Sequence, residues 1–270
     1  MAVPAGLDSA TDLSRLAASA VRFRLTLAYL GGAYGGWQRQ MNAMAIQQLV
    51  EEALERVVSA PVRIVGAGRT DAGVHAEGQV AHFTLDRDFA PDSIVGGANH
   101  YLPPDIRVLA ASRVAADFHA RAQALAKEYR YRLSRRSVLL PADAPVVVRV
   151  DPDIDVSRMA EAAALIEGRH DFSAFAKSGG SHRQPWRRVF RAQLVDDGTE
   201  ITFRCIGDGF LRGMVRALAG TLLWVGQGRS DVQQMARLLA GGERAQAGPN
   251  APARGLCLVQ VFYSGEPGWE

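Results

Sequence analysis

The sequence predicts an α+β protein, a mostly antiparallel or mixed sheet flanked by helices. Three observations carry this. Short runs alternate apolar and polar residues at the two-residue period of half-buried strands. Longer runs repeat apolar residues at three- and four-residue steps, the helical period. Several neighbouring strands are joined by turns too short for the crossover helix that a parallel pair needs.

Phe23-Arg-Leu-Thr-Leu27 alternates, which predicts a strand with one buried face. Gly31 to Arg39 is a glycine-rich loop that carries Tyr34 and Trp37. Ile46, Leu49, Val50, Ala53, Leu54 and Val57 predict an amphipathic helix over 45–59. Val62–Val65 reads as a short strand, 66–73 as a loop and Gln79–Leu85 as a strand. Ser93–Tyr101 reads as a short helix ended by Pro103-Pro104, and Ile106–Ala111 as a strand. Asp105 reads as part of that helix ending.

The second half repeats the mixture. In Glu128-Tyr-Arg-Tyr-Arg-Leu133 the aromatics share one strand face, and Arg130 and Arg132 the other. Val156–Glu167 predicts a helix ended by Gly168. Val189–Val195 and Glu200–Ile206 pair around Asp196-Asp197-Gly198. Phe210–Gly226 predicts a long apolar helix, and Ser230 caps another with Val232, Met235, Leu238 and Leu239 inward. Leu256–Tyr263 is the last strand. The chain divides into a disordered leader over 1–20, one half over 21–115 and a second over 116–270.

Composition excludes several classes. The 270 residues are 22% charged and 48% hydrophobic, values of an ordinary globular protein rather than a disordered or fibrous one. No apolar run reaches the roughly 18 residues of a membrane span; the longest, Met214–Gly226, is interrupted by Arg216. Cys205 and Cys257 alone form no disulfide framework or zinc cluster and point to a reducing cytoplasm. The six histidines lack the paired spacing of a metal site.

The net charge of +3 is small, but its distribution is uneven. Residues 121–136 hold six Lys/Arg against Glu128, and 177–191 hold five with no acid. Clustered cations at modest total charge suit a polyanion-binding face, although exposed arginines are usually only solvated. With 29 Arg and 2 Lys, the choice of arginine itself says little about phosphate recognition.

The most informative segment is Gly66-Ala-Gly68-Arg69-Thr70-Asp71-Ala72-Gly73-Val74-His75. Three glycines in eight residues between strands describe tight turns that present one carboxylate and one guanidinium. No Gly-Lys-Ser/Thr follows, so it is not a Walker loop, and its spacing is not a dinucleotide fingerprint. On spacing alone Asp71 could equally form a turn.

This string resembles the signature of the tRNA pseudouridine synthase A family. Further segments resemble other motifs of that family in order. They are Gly35-Gly36-Trp37-Gln38-Arg39-Gln40, Asn99 to Ile106, Asp117-Phe118-His119-Ala120-Arg121, Lys127 to Tyr131, His170 to Phe175, Phe210 to Arg216, and Gly255-Leu256. The resemblance spans residues 21–263. It implies two related halves with a cleft between them, a homodimer, and tRNA as partner. It implies isomerisation of uridine to pseudouridine at three neighbouring positions, 38–40, of the anticodon stem-loop, without metal or other cofactor.

The resemblance also implies roles. Asp71 is the nucleophile; it could attack the sugar carbon, add to the ring, or stabilise an elimination. A carboxylate in a dry pocket needs a cation beside it, and Arg216 matches the family's arginine. Tyr129 matches the tyrosine that lies over the target base. Arg69 matches the residue that fills the stack when the base leaves. Phe118, His119, Ala120 and Arg121 match the substrate-contacting stretch. Lys127, Arg130, Arg132 and residues 183–191 are candidate phosphate contacts, with Trp37 and Trp186 as candidate platforms.

Gly213, Glu128 and Gln184 depart from the family pattern. A passive tRNA-binding module and an aspartate-dependent hydrolase are the rival readings; glycoside hydrolysis ordinarily needs two carboxylates.

Overall fold

The computed structural model describes residues 20–177, 184–265 and 267, and everything structural below refers to them. The proposed leader, apart from residue 20, and residues 178–183 of the second cationic cluster lie outside that range.

A ten-stranded sheet organises the chain. Its strands are β1 Val21–Tyr29, β2 Val65–Gly66, β3 His75–Leu85, β4 Ile106–Val114, β5 Ala126–Ser134, β6 Val148–Arg149, β7 Gly168–Asp171, β8 Trp186–Asp196, β9 Glu200–Gly207 and β10 Leu256–Phe262. The helices are α1 Ile46–Val58, α2 Pro91–Tyr101, α3 Val156–Ala164, α4 Met214–Gly226 and α5 Val232–Leu239. The strand order is β4-β1-β3-β10-β5-β9-β8-β7, with β2 beside β3 and β6 beside β5. In each half the first strand, β1 or β5, is flanked by that half's last strand, β4 or β10, and by an inserted one, β3 or β9. Neighbours are antiparallel except β10 with β3 and β5 with β6. The halves therefore meet where β10 runs parallel to β3.

Two-residue alternation decides the faces. Phe23, Leu25, Leu27 and Tyr29 are buried, as are Tyr129, Tyr131 and Leu133. Arg130 and Arg132 point the other way, as predicted. Glu128 is also buried on that side, where Arg204 Nε and Nη2 donate to its Oε1 at 2.9 and 2.7 Å. That pairing explains an acid at a position the family pattern often fills with a base.

Several boundaries differ from expectation, each for a local reason. Of the predicted 62–65 strand only Val65 pairs, joined by Gly66 from the predicted loop. The amides of Ile64 and Val62 are already taken by Glu51 and Glu55 of α1. The helix predicted to Glu167 stops at Ala164, because Glu167 Oε1 accepts the Ala192 amide of β8 and draws the chain to the sheet edge as β7. The helix predicted from Phe210 begins at Met214, while Phe210 turns onto Tyr129. Asp231, not Ser230, caps α5, its Oδ1 accepting the Gln234 amide at 2.6 Å. Asp105 lies beyond the end of α2 and accepts the Tyr34 hydroxyl at 2.6 Å.

Candidate active site

The loop that follows β2 folds back along β3 before that strand begins. Ala67 N–H donates to Val80 O at 2.7 Å, and Gln79 Nε2 donates to Gly68 O at 3.0 Å. Beneath it Tyr29 Oη and Thr70 Oγ1 share a hydrogen bond of 2.9 Å. Val74 N–H closes a turn onto Asp71 O at 3.1 Å. Asp71 thus sits on a backbone hydrogen-bonded on both sides, which fixes where its carboxylate is presented.

The glycine-rich 31–37 loop buttresses the other side. Trp37 N–H donates to Thr70 O at 3.1 Å. Gly31 N–H donates to Nδ1 of His75 at 3.1 Å, so the ring hydrogen lies on Nε2, which donates to Arg254 O at 3.1 Å. Burial pushes the His75 pKa below the usual imidazole range, consistent with that neutral ring. Gly36 has φ +101°, and a Cβ there would lie 2.7 Å from Thr70 O. Gly36→Ala therefore strains the backbone and pushes directly on the Asp71 loop. The expected cost is about 2 kcal/mol or more, a fall in Tm of roughly 4–8 °C, with a loss of turnover on the order of 10-fold or more. Thermal melts and rates that match the unsubstituted protein would show the buttress to be slack.

Arg216 and Arg212 face Asp71 from the second half. Arg216 Nη1 lies 3.5 Å from Oδ2, and its Nε donates to Ala251 O at 2.8 Å. Arg212 Nε lies 4.0 Å from Oδ1. The Asp71 side chain keeps 26% exposure and Arg216 19%, so the pair is half-buried rather than sealed. Arg212 was not singled out from the sequence; its place four residues before Arg216, across the start of an apolar helix, was the available signal. Gly213 between them adopts a left-handed backbone at φ +74°, which suits glycine where the family favours a larger residue.

Tyr129 lies on this same face of β5. It is 7% exposed and meets Phe210 edge-on, with ring centroids 5.1 Å apart. Burial, then the proximity of Tyr29 and Asp71, pushes its phenol well above the usual range, so it stays protonated at neutral pH. Arg69 is exposed two residues from Asp71, with no ion-pair partner among the described residues. Lys127 runs beside this loop: a Cβ on Gly68 would lie 3.4 Å from its Cε. Burial, with the nearby charges of Arg121 and Arg187, lowers the Lys127 pKa. These cations gather on the Asp71 side of the sheet.

Other candidates fall elsewhere. Ala120 is fully buried; its amide donates to His82 Nδ1 and its carbonyl accepts Tyr263 Oη. That closes off Ala120 as a surface for substrate. Phe118 packs on Tyr263 at 5.2 Å, and His119 Nδ1 accepts the amides of Arg121 and Ala122. The stretch is a folded turn from which the exposed Arg121 projects. Arg130 and Arg132 are on the opposite sheet face, paired with Glu77 and Glu200, and so are not on the Asp71 side. Trp37 is buried against Tyr29 and offers no platform, whereas Trp186 is exposed and Arg169 lies over its ring.

The geometry defines a class of α+β proteins in which a rigid loop presents a carboxylate to guanidinium groups across a joint between sheet halves. Comparisons narrow it. A family model described as tRNA pseudouridine synthase matches residues 26–121 and 162–264. The tRNA pseudouridine synthase A of Syntrophotalea carbinolica is 44% identical over 241 residues, 89% of this chain and 96% of that protein. Those of Myxococcus xanthus and Pelobacter propionicus are 44% and 42% identical, covering 91% and 89% of this chain and 93% and 98% of theirs. The chain belongs to the tRNA pseudouridine synthase family.

Proposed function

We propose that the protein isomerises uridine to pseudouridine in tRNA, at positions 38–40 of the anticodon stem-loop, with Asp71 as nucleophile and no cofactor. The observation that carries this reading is the half-exposed Asp71 carboxylate, set between Arg216 and Arg212 beside a buried Tyr129. The net reaction breaks the N1–C1′ bond, joins C5 to C1′, and moves a hydrogen from C5 to N1, so substrate and product are isomers. The carboxylate acts at the sugar carbon or at the ring, or stabilises an elimination, as the N1–C1′ bond opens, and the paired guanidinium groups hold its charge and direction. Tyr129, uncharged and largely buried, supports the detached base while it turns.

Extruding a base from an RNA stem costs a few kcal/mol. Arg69 is exposed and rides on the same loop as Asp71, so it suits filling the gap. Arg121, Lys127, Arg187 and Arg212 supply phosphate contacts around it. With about five such contacts, log Kd against log salt should have a slope of roughly 4 in magnitude. A filter-binding titration between low and moderate salt checks this, and a flat line defeats the cationic cleft.

The assembly is also proposed as a homodimer acting in the cytoplasm; Cys205 and Cys257 are both free thiols, the form that a reducing compartment maintains. Among the described residues no helix is long and apolar enough to cross a membrane. The deciding assay is incubation with an unmodified tRNA transcript followed by carbodiimide mapping. Pseudouridine at the anticodon stem-loop supports the reading. Free uracil would indicate a hydrolase, and unchanged RNA a passive binder.

A further inference from the structure

We propose that His75 is a positioning residue for the Asp71–Arg216 pair, acting through the segment Ala251–Arg254. The proposal rests on the isomerase reading of that pair. Asp71 and Arg216 are 145 residues apart and belong to different halves of the sheet. Where those halves join, β3 and β10 are registered by only two residue pairs, Cys257 with His75 and Leu258 with Ala76. So short a backbone ladder gives the side-chain bonds that cross the joint a share in setting how the two halves meet.

The segment just before β10 carries a dense set of such bonds. Ala251 O accepts Arg216 Nε at 2.8 Å, and Ala251 N–H donates back to Arg216 O at 3.0 Å. Pro252 O accepts the Tyr131 hydroxyl at 2.8 Å. Arg254 O accepts His75 Nε2–H. Three carbonyls within four residues are thus claimed by side chains from α4, β5 and β3. Gly248 N–H adds a fourth tie, donating to Thr221 Oγ1 of α4 at 2.9 Å.

His75 is the member that crosses the joint. One ring nitrogen holds the Gly31 amide of the buttress and the other holds the segment that orients Arg216. Losing the second bond frees Arg254 O, and the guanidinium anchored on Ala251 O drifts with the segment. A misplacement of about 1 Å in such a pair costs on the order of 100-fold in rate.

The experiment measures single-turnover rate and tRNA affinity for His75→Asn, His75→Gln and Tyr131→Phe, with melting curves. Asn keeps an acceptor near the Nδ1 position but cannot reach Arg254 O; Gln keeps a donor near the Nε2 position. His75→Asn should lose about 100-fold in rate with Kd within about threefold, while His75→Gln restores most of the rate. Tyr131→Phe removes one hydroxyl and should lose about 10-fold with affinity intact. If His75→Asn does not fold, Tyr131→Phe at the wild-type rate overturns the proposal. Equal rates for His75→Asn and the wild type overturn it, as does a rate loss matched by loss of tRNA affinity. A wild-type protein that makes no pseudouridine fails the functional reading instead.

Discussion

Asp71→Asn is expected to abolish pseudouridine formation while leaving tRNA binding within a few-fold of wild type. Asparagine keeps the shape of the side chain and removes the charged oxygen, so the loop, its turn to Val74 and its contacts beneath are undisturbed. The loss should be on the order of 10⁴-fold or more, the scale seen when a nucleophile is removed from a set of groups acting as a unit. Stability should hardly move. The carboxylate is 26% exposed and its cations stand 3.5 and 4.0 Å away, a geometry worth about 0–1 kcal/mol. A change in Tm below roughly 4 °C follows. Single-turnover assays with filter binding and a thermal melt check all three. Turnover surviving in this variant would remove Asp71 from the reaction.

The sheet was largely legible because strand alternation is a local signal. Tyr129 and Tyr131 share a face with Leu133, and Arg130 and Arg132 oppose them, as the period of two requires. β7 was missed because Gly168 to Asp171 is four residues long, with no apolar period to detect. Counting cations misplaced Arg130 and Arg132, since their partners Glu77 and Glu200 come from other strands. Trp37 was misread for a related reason: a loop aromatic is exposed or buried according to what folds over it, here the Asp71 loop and Tyr29. Asp71 and Arg216 came from resemblance to a family, because no spacing rule links residues 145 apart. The buttress of Gly31 and Gly36 and the double role of His75 are products of tertiary contact.

Arg216→Met should lower turnover by about 100- to 1,000-fold, with tRNA affinity changed far less. Arg216 directs its guanidinium at the carboxylate of Asp71, the proposed nucleophile, and losing a preorganised charged donor costs that much in other sites. Stability is a separate question. A sealed pair would leave a buried charge unpaired, at about 3–5 kcal/mol. Here both partners keep contact with water and Arg212 still faces Asp71, so the ion-pair contribution is nearer 1 kcal/mol. Losing the Nε bond to Ala251 O adds about 1 kcal/mol, and methionine retains much of the stem packing on α4. The sum is a fall in Tm of roughly 4–8 °C. The double variant with Asp71→Asn decides whether the two residues act on one step. If Arg216 works by holding Asp71, its substitution has little left to remove once the carboxylate is gone, and the double variant is no slower than Asp71→Asn alone. Additive losses would mean that Arg216 serves the RNA rather than Asp71.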